Sequence, residues 1–599
     1  MAKEGGRGPA AGGKKRGPEE APSAPGAAEA WRRRYLAATV FLSGAAVMVL
    51  ELLGTRLLAP VFGLSLYVWT AVITVTLVAL AAGYWFGGTL ADRRPEAGTL
   101  YLVLAAVAIS LALLVLAKGR ALDWMSGMGP RSGPLAGSAL LLLVPLFGLA
   151  TVPPFAVRLT AKELGKVGGA AGRVSALSTL GSVAGSIATG FYLIPEVGVG
   201  LTLACLAAGL LALAVAGFVL SRRHGRAALA GAAGILFLLP AMSPYLSRAD
   251  RYPVRVAAGG GFETRLLAER SSPYAELKVA DVVFPTGWRA RWMFIGQAPQ
   301  TFRFEKDYLD RKPYYVDSVH LVEGFHPAPE RYLVIGLGGG EMTELLRAKP
   351  GASRVDVVEI DPEVVELARE FFGFEEGGPL RLFVQDGRDF VRREAPRGGY
   401  DLVFFDAFGA GTAPFHLFSL EALREFRAVL APGGLFVMNY LGFSGGPNRA
   451  SVDSILRTVG EVFPSSRVIL GGEPGKPDGF ANYLVVASDA PVRLARHPFR
   501  YLSSPLFRSL VAKFFAIHVA TRREAKIAPG ESLPGDPEEL EQMPLDRLDA
   551  VLDVGALFDP EAGRLVTDDS NWLDVANVAQ NEAHRKAMLP LFRELLLGR

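Results

Sequence analysis

Between Tyr35 and residue 247 the sequence holds seven apolar stretches, at 36–59, 65–90, 99–117, 134–155, 174–194, 200–221 and 227–246. Each can cross a hydrocarbon layer of about 30 Å as a helix rising about 1.5 Å per residue. In lipid every backbone N–H and C=O needs an internal partner, so runs of this length must fold as helices. The expectation is an α-helical transmembrane bundle of about seven spans over residues 35–247. Small residues recur within it, as in Gly181-Ser-Val-Ala-Gly185, and allow helices to approach closely. Residues 1–34 combine Gly, Pro, Ala and Lys without hydrophobic periodicity and read as a disordered basic tail.

Charge placement bears on topology. Arg32–Arg34, Arg93–Arg94, Arg158 to Arg173 and Arg222 to Arg226 all fall on one side of a seven-span arrangement. Basic loops stay cytoplasmic, so an odd number of crossings sends everything after residue 247 to the other face. Nucleotide thioethers, however, are made in the cytosol, and the sequence leaves the side of the soluble half open. Glu51 and Arg56 are ionisable groups in or near the first span, candidates for function or for a structural ion pair. A net charge of +4 gives no nucleic-acid footprint. Cys205 is the sole cysteine, which excludes disulfides and cysteine metal centres within one chain.

Beyond Pro253 the pattern changes. Short alternating runs such as Glu276-Leu-Lys-Val-Ala280 and Arg291-Trp-Met-Phe-Ile295 predict a small β-sheet over residues 253–325. In residues 326–490, strands at 331–336, 354–359, 380–384, 401–406, 434–440 and 482–487 alternate with helices at 341–348, 361–372, 386–394, 419–430 and 450–462. That alternation predicts a mainly parallel, Rossmann-like sheet covered on both faces. Residues 491–599 read as a mixed, mostly helical extension.

Ligands in such sheets bind beyond the carboxyl ends of the strands, where four loops converge. Gly336, Gly338 and Gly340 follow the first strand and let the backbone approach a nucleotide. Glu359 ends the second strand, where a carboxylate can accept bonds from two ribose hydroxyls. Asp386 and Gly387 follow the third strand and are placed to meet the exocyclic amine of adenine. Asp406 ends the fourth, in Tyr400-Asp-Leu-Val-Phe-Phe-Asp406, and points into the cleft.

These loops resemble the spermidine synthase (polyamine aminopropyltransferase) family, whose fold is that of class I methyltransferases. The resemblance covers about residues 270–490 and rests on Val357-Val-Glu-Ile-Asp361, Asp386-Gly387, Asp406 and Leu430-Ala-Pro-Gly-Gly434. It implies decarboxylated S-adenosylmethionine as donor, a small-molecule amine as acceptor, and Asp406 as the group that helps deprotonate the amine. It also implies Gln300, Tyr315 and Asp317 in the donor and substrate cleft. No metal is called for, since the sulfonium is already an activated leaving group. Pro414-Phe-His-Leu-Phe418 and Leu565-Val-Thr-Asp-Asp569 resemble the membrane-fused branch of the family. They nominate His416 as a general base or a loop hydrogen-bonding residue. They nominate Asp568 and Asp569 as negative charge for a cationic substrate or as a helix cap.

The chain departs from the family pattern in three places. Gly339 stands where the donor's amine-binding aspartate is expected, with Glu341 two residues on. Asp406-Ala-Phe-Gly-Ala410 lacks the second acid of its loop, and Tyr274-Ala275 replaces a Tyr-Gln pair. Three functions therefore compete. The first is a membrane-bound transferase that moves an aminopropyl group to a polyamine-type amine. The second is an S-adenosylmethionine-dependent methyltransferase acting on a membrane-associated or exported acceptor. The third is a transporter or sensor whose nucleotide domain only binds its ligand, and Gly87-Gly-Thr-Leu-Ala-Asp-Arg-Arg94 resembles a major-facilitator loop in its favour. The implied partners are the lipid bilayer and a small amine, with a second copy of the chain as an open option. Multi-pass insertion in the cell membrane is the expected location.

Overall fold

The computed structural model describes residues 27–221, 254–256, 263–304, 319–407, 414–471, 480–497 and 542–569, apart from short gaps, together with Leu573. Among them six helices are long and apolar enough to cross a membrane: Trp31–Ala59, Leu66–Arg93, Ala97–Ala117, Ser132–Thr160, Val167–Ile194 and Val199–Leu220. Six of the seven expected spans thus fall on helices. The seventh, 227–246, lies outside the described residues.

Helices α1 (Ala27–Phe62), α2 (Leu66–Arg93), α3 (Ala97–Met125), α4 (Ser132–Ala150), α5 (Val152–Thr160), α6 (Val167–Ala188) and α7 (Val199–Ser221) share one core. Pro153 and Pro154 start α5 at the end of α4, and a π-helical turn, Thr189–Val197, closes α6. Glycines set the closest crossings. A Cβ on Gly181 would lie 1.9 Å from the Phe41 carbonyl oxygen, and one on Gly185 2.5 Å from that of Ala45. Side chains larger than hydrogen would drive α1 and α6 apart.

The soluble half contains two sheets. Strands β1 (Val254–Val256), β2 (Glu263–Ser271), β3 (Glu276–Val283), β4 (Arg289–Ile295) and β5 (Ala298–Phe304) form an antiparallel meander. The second sheet runs β11-β12-β10-β9-β6-β7-β8, built from β6 (Arg331–Ile335), β7 (Arg354–Glu359), β8 (Leu380–Val384), β9 (Tyr400–Phe405), β10 (Leu430–Phe443), β11 (Ser465–Leu470) and β12 (Phe480–Ser488). Strands β8, β7, β6, β9 and β10 are parallel, and β12 runs antiparallel between β10 and β11. This is the Rossmann-like methyltransferase architecture expected above. β11 is an addition that the sequence reading lacked.

Five helices follow strands: α8 (Glu341–Arg347), α9 (Pro362–Phe372), α10 (Gly387–Arg393), α11 (Leu420–Val429) and α12 (Ala450–Gly460). Local chemistry sets their limits. Asp361 caps α9 by accepting from Glu363 N at 3.0 Å, Pro362 opens the helix, and Gly373 at φ +70° ends it. Ser419 caps α11 in the same manner. β9 is apolar on both faces apart from Asp401 because helices cover both sides of the sheet. The small sheet closes on α9: Leu277, Val279 and Met293 pack against Val364, Leu367 and Phe372. Of the C-terminal extension, the described residues include α13 (Leu545–Leu552) and two short 3-10 turns; most of the rest lies outside them.

Candidate active site

The order of the large sheet reverses beside β6, which is flanked by β7 on one side and β9 on the other. At such a switch point the connecting loops diverge and leave a crevice beyond the strand ends. The glycine turn enters it with positive φ at Gly336 (+102°), Gly338 (+56°) and Gly340 (+84°), backbone shapes that L side chains resist. A Cβ on Gly336 would lie 2.3 Å from the Asp406 carbonyl oxygen, so the first glycine lets β6 and β9 end side by side. Gly336 N donates to Val358 O at 2.8 Å, and Asp406 N to Ile335 O at 2.9 Å.

Glu359 is half-buried at the end of β7 and braces this turn. Its Oε2 accepts from Leu337 N at 2.9 Å and its Oε1 from Asp361 N at 3.0 Å. Burial raises its carboxyl above the usual range despite those bonds. Each oxygen keeps a lone pair for a further donor such as a ribose hydroxyl. Asp361, also raised by burial, accepts from Ser272 Oγ at 2.5 Å and so ties the β2–β3 turn to the same edge. Tyr274 follows in that turn, largely exposed. Its hydroxyl is raised by burial and then by the carboxylates of Asp361, Asp386 and Glu359.

Asp406 stands across the crevice. Its Oδ1 accepts from Asn439 Nδ2 at 2.8 Å, and Asn439 Oδ1 accepts from Asn482 Nδ2 at 3.1 Å. Burial pushes the Asp406 carboxyl up to about 6, with the Asn439 bond opposing. A base poised there is ionised at neutral pH yet able to take a proton. Asn439 escaped the sequence reading. It sits in a run of buried β10 residues and meets Asp406 only through the sheet.

Asp386 caps α10, its Oδ1 accepting from Arg388 N and Asp389 N, each at 2.9 Å. Its Oδ2 lies 2.7 Å from His416 Nε2, and that bond holds the Asp386 carboxyl below its usual range. The cap and the His416 bond together leave it a single lone pair, on Oδ2. Gly387 is a packing position: a Cβ there would meet Ile335 Cγ2 at 2.7 Å. His416 is exposed at the rim, held by Asp386. Gln300 lies on β5 beside Thr301, which touches the glycine turn. Tyr315 and Asp317 lie outside the described residues.

Two acids have other employment. Asp568 is nominated as negative charge for a cationic substrate or as a helix cap. Arg388 instead holds both its oxygens, at 2.7 and 2.8 Å, and thereby lowers its carboxyl to about 2. Asp569 is exposed next to it. Glu341 is buried and pairs with Arg303 at 3.2 Å, so it does not stand in for an acid at Gly339. No side chain fits at Gly339 either: a Cβ would lie 2.6 Å from Thr301 Cγ2 and 3.0 Å from the Phe372 ring.

Residues 312–494 match the spermine/spermidine synthase domain. The matched segment falls within the soluble half. The polyamine aminopropyltransferase of Vibrio vulnificus is 35% identical over 147 residues, which are 24% of this chain and 49% of that protein. The human eEF1A lysine and N-terminal methyltransferase is 30% identical over 146 residues, 23% of this chain and 20% of that one. The chain thus spans about half the length of that aminopropyltransferase and a fifth of that methyltransferase. Among solved structures, spermidine synthase from Thermotoga maritima is similar at 18% identity over 46% of this chain and 94% of that one, with a TM-score of 0.35.

Proposed function

We propose that the chain is a membrane-bound transferase that moves an aminopropyl group from decarboxylated S-adenosylmethionine to an amine acceptor. The observation that carries the reading is the pair of carboxylates at the ends of the two strands that flank β6, Glu359 bracing the glycine turn from β7 and Asp406 raised to about 6 after β9. In this reading Gly336, Gly338 and Gly340 seat the nucleoside, Glu359 takes its ribose hydroxyls, and Asp386 and Gln300 complete the donor site. Asp406 orients the acceptor. The amine lone pair attacks the propyl carbon, the carbon–sulfur bond breaks, and its electron pair neutralises the sulfonium to give methylthioadenosine. The proton released from the new ammonium passes to Asp406 and then to water.

Methyl transfer from S-adenosylmethionine is the second reading, and one observation favours it. The place of a donor-amine acid is filled at Gly339 by Thr301 and Phe372, and Glu341 is neutralised by Arg303. A donor that carries a carboxylate beside its amine suits a pocket without that acid. Purified full-length protein supplied with each donor and a panel of amines separates the two. Methylthioadenosine among the products is the expected result; S-adenosylhomocysteine selects methyl transfer. Consumption of neither donor, with no binding of either nucleoside product, sinks both.

A further inference from the structure

The described contacts fix which end of the bundle carries the soluble half. The two ends are distinguishable. At one, α1 finishes near Phe62, against which a Cβ on Gly133 at the start of α4 would lie 2.3 Å away. The turn between α6 and α7, with Gly198, belongs to this end because α7 runs back from it: Gly217, late in α7, packs on Tyr101, early in α3. At the other end α2 and α5 finish together, joined by Arg158 and Asp92 at 3.2 Å.

The basic residues are concentrated at the second end. Arg32–Arg34 lie at the start of the first span, Arg93 closes α2 with Arg94 next to it, Arg158 to Arg173 surround the α5–α6 turn, and Arg222 to Arg226 follow α7 in the sequence. The first end has fewer, Arg56, Lys118, Arg120 and Arg131. The soluble half docks at the first end. Arg56 of α1 donates to the Pro273 carbonyl in the β2–β3 turn and faces Glu276 and Asp361. A Cβ on Gly198 would lie 3.6 Å from Ser271 Oγ at the end of β2, next to that turn.

We infer that the transferase site stands on the extracytoplasmic face of the membrane, seated by its β2–β3 turn on the end of the bundle opposite the arginine clusters. Basic loops are retained on the cytoplasmic side, so the end that holds Arg56 and Gly198 faces outward. Chain connectivity agrees. Ser221 closes α7 at the arginine end, whereas Val254 enters the docked sheet at the other. The intervening apolar stretch 227–246 has the length of one more crossing. A crossing there would put the two termini of the bundle on opposite faces. Resting on the transferase reading, one consequence concerns the substrate: the acceptor is an amine presented at the outer surface of the bilayer, and the donor must be supplied to that side.

Single cysteines test the side directly, because Cys205 is the only native one. In a Cys205→Ala background, Glu561→Cys marks the soluble half and Glu96→Cys marks the arginine end; both positions are exposed. The full chain is labelled in membranes with a membrane-impermeant maleimide. Expected is labelling of E561C in spheroplasts but not in sealed inverted vesicles, with E96C showing the reverse. Labelling of both from one face, or E561C only in inverted vesicles, overturns the inference. Glu461→Cys, exposed elsewhere in the soluble half, replaces E561C if that thiol stays unreactive in detergent. Labelling does not depend on turnover. The expected pattern together with no consumption of donor supplied to the outer face would therefore reject the transferase reading and keep the side.

Discussion

Burial holds the Asp406 carboxyl at about 6, and this has opposite consequences for catalysis and for stability. As a base it must be ionised, so turnover should rise tenfold per pH unit below about 6 and level off above. For folding the sign is reversed. The native carboxyl binds its proton more tightly than the unfolded one, so its contribution is neutral below about pH 4 and grows unfavourable as pH rises through 6. A raised value of this size corresponds to about 2–3 kcal/mol. Asp406→Asn keeps an acceptor for Asn439 and removes the charge. Turnover should fall about 10²–10⁴-fold, while the melting temperature rises at pH 8 and is unchanged at pH 4. A variant that keeps its activity would remove Asp406 from proton transfer. Gly339 offers a second single-residue test. Gly339→Ala should cost about 1–3 kcal/mol through its clash with Thr301 and Phe372. Thr301→Ser, which deletes the clashing methyl, should recover part of that loss in the double variant, measured as coupling in a double-mutant cycle. Glu359 and Asp406 were legible in the sequence because each ends an apolar strand run before a turn. Asn439 and Thr301 were not, since each reads as ordinary strand interior until the sheets bring it to the crevice.

Helix starts were legible along most of the soluble half, since helices expected from residues 361, 386 and 419 begin there, with Asp361, Asp386 and Ser419 as their caps. What lay beyond the sequence was how the C-terminal segment returns. Leu420 N donates to Val566 O at 2.8 Å and Asp568 N to Glu421 Oε2 at 2.9 Å, which lay the segment along α11. Arg388 at the start of α10 clamps it, binding Asp568 through two nitrogens, Glu425 through two, and the His416 carbonyl at 2.9 Å. One buried guanidinium therefore joins the rim of the crevice, α11 and the returning segment. Arg388→Ala leaves two carboxylates facing each other, and should cost about 2–4 kcal/mol, less than a fully buried pair because both acids reach solvent. The loss should appear as a lower melting temperature and faster proteolysis within residues 564–569. Asp568 adds a pH signature. Its carboxyl is lowered to about 2, so its stabilising effect is complete above about pH 4 and is lost as pH falls towards 2. That acid loosening of the segment should disappear in Arg388→Ala.

The whole molecule joins a bundle held by close helix crossings to a two-sheet soluble half through one short turn. The turn works in both directions: Pro273 accepts from Arg56 on the membrane side, while Ser272 Oγ donates to Asp361 at 2.5 Å on the crevice side. Asp361 in turn gives its N–H to Glu359, and Glu359 holds the glycine loop through Leu337. Arg56 thus sits four contacts from the glycine turn without touching it. Its guanidinium has little hydration to fall back on near the end of the span, so the Pro273 carbonyl and the charges of Glu276 and Asp361 are its natural counterparts. Arg56→Ala should release the turn. Amides of residues 271–276 should exchange faster in full-length protein in nanodiscs, while those of α11 and α12 stay protected. With Ser272 less firmly placed, methylthioadenosine should bind roughly tenfold more weakly, the scale of one lost charge-assisted hydrogen bond. Arg56→Lys, which keeps the charge but not the planar fork, should restore part of the affinity. Turnover at saturating donor should change far less than the donor KM, because Asp406 and Asn439 lie on strands that the turn does not touch. Unchanged exchange at 271–276 would mean that the bundle merely tethers the enzyme. Faster exchange with unchanged affinity would confine the coupling to docking.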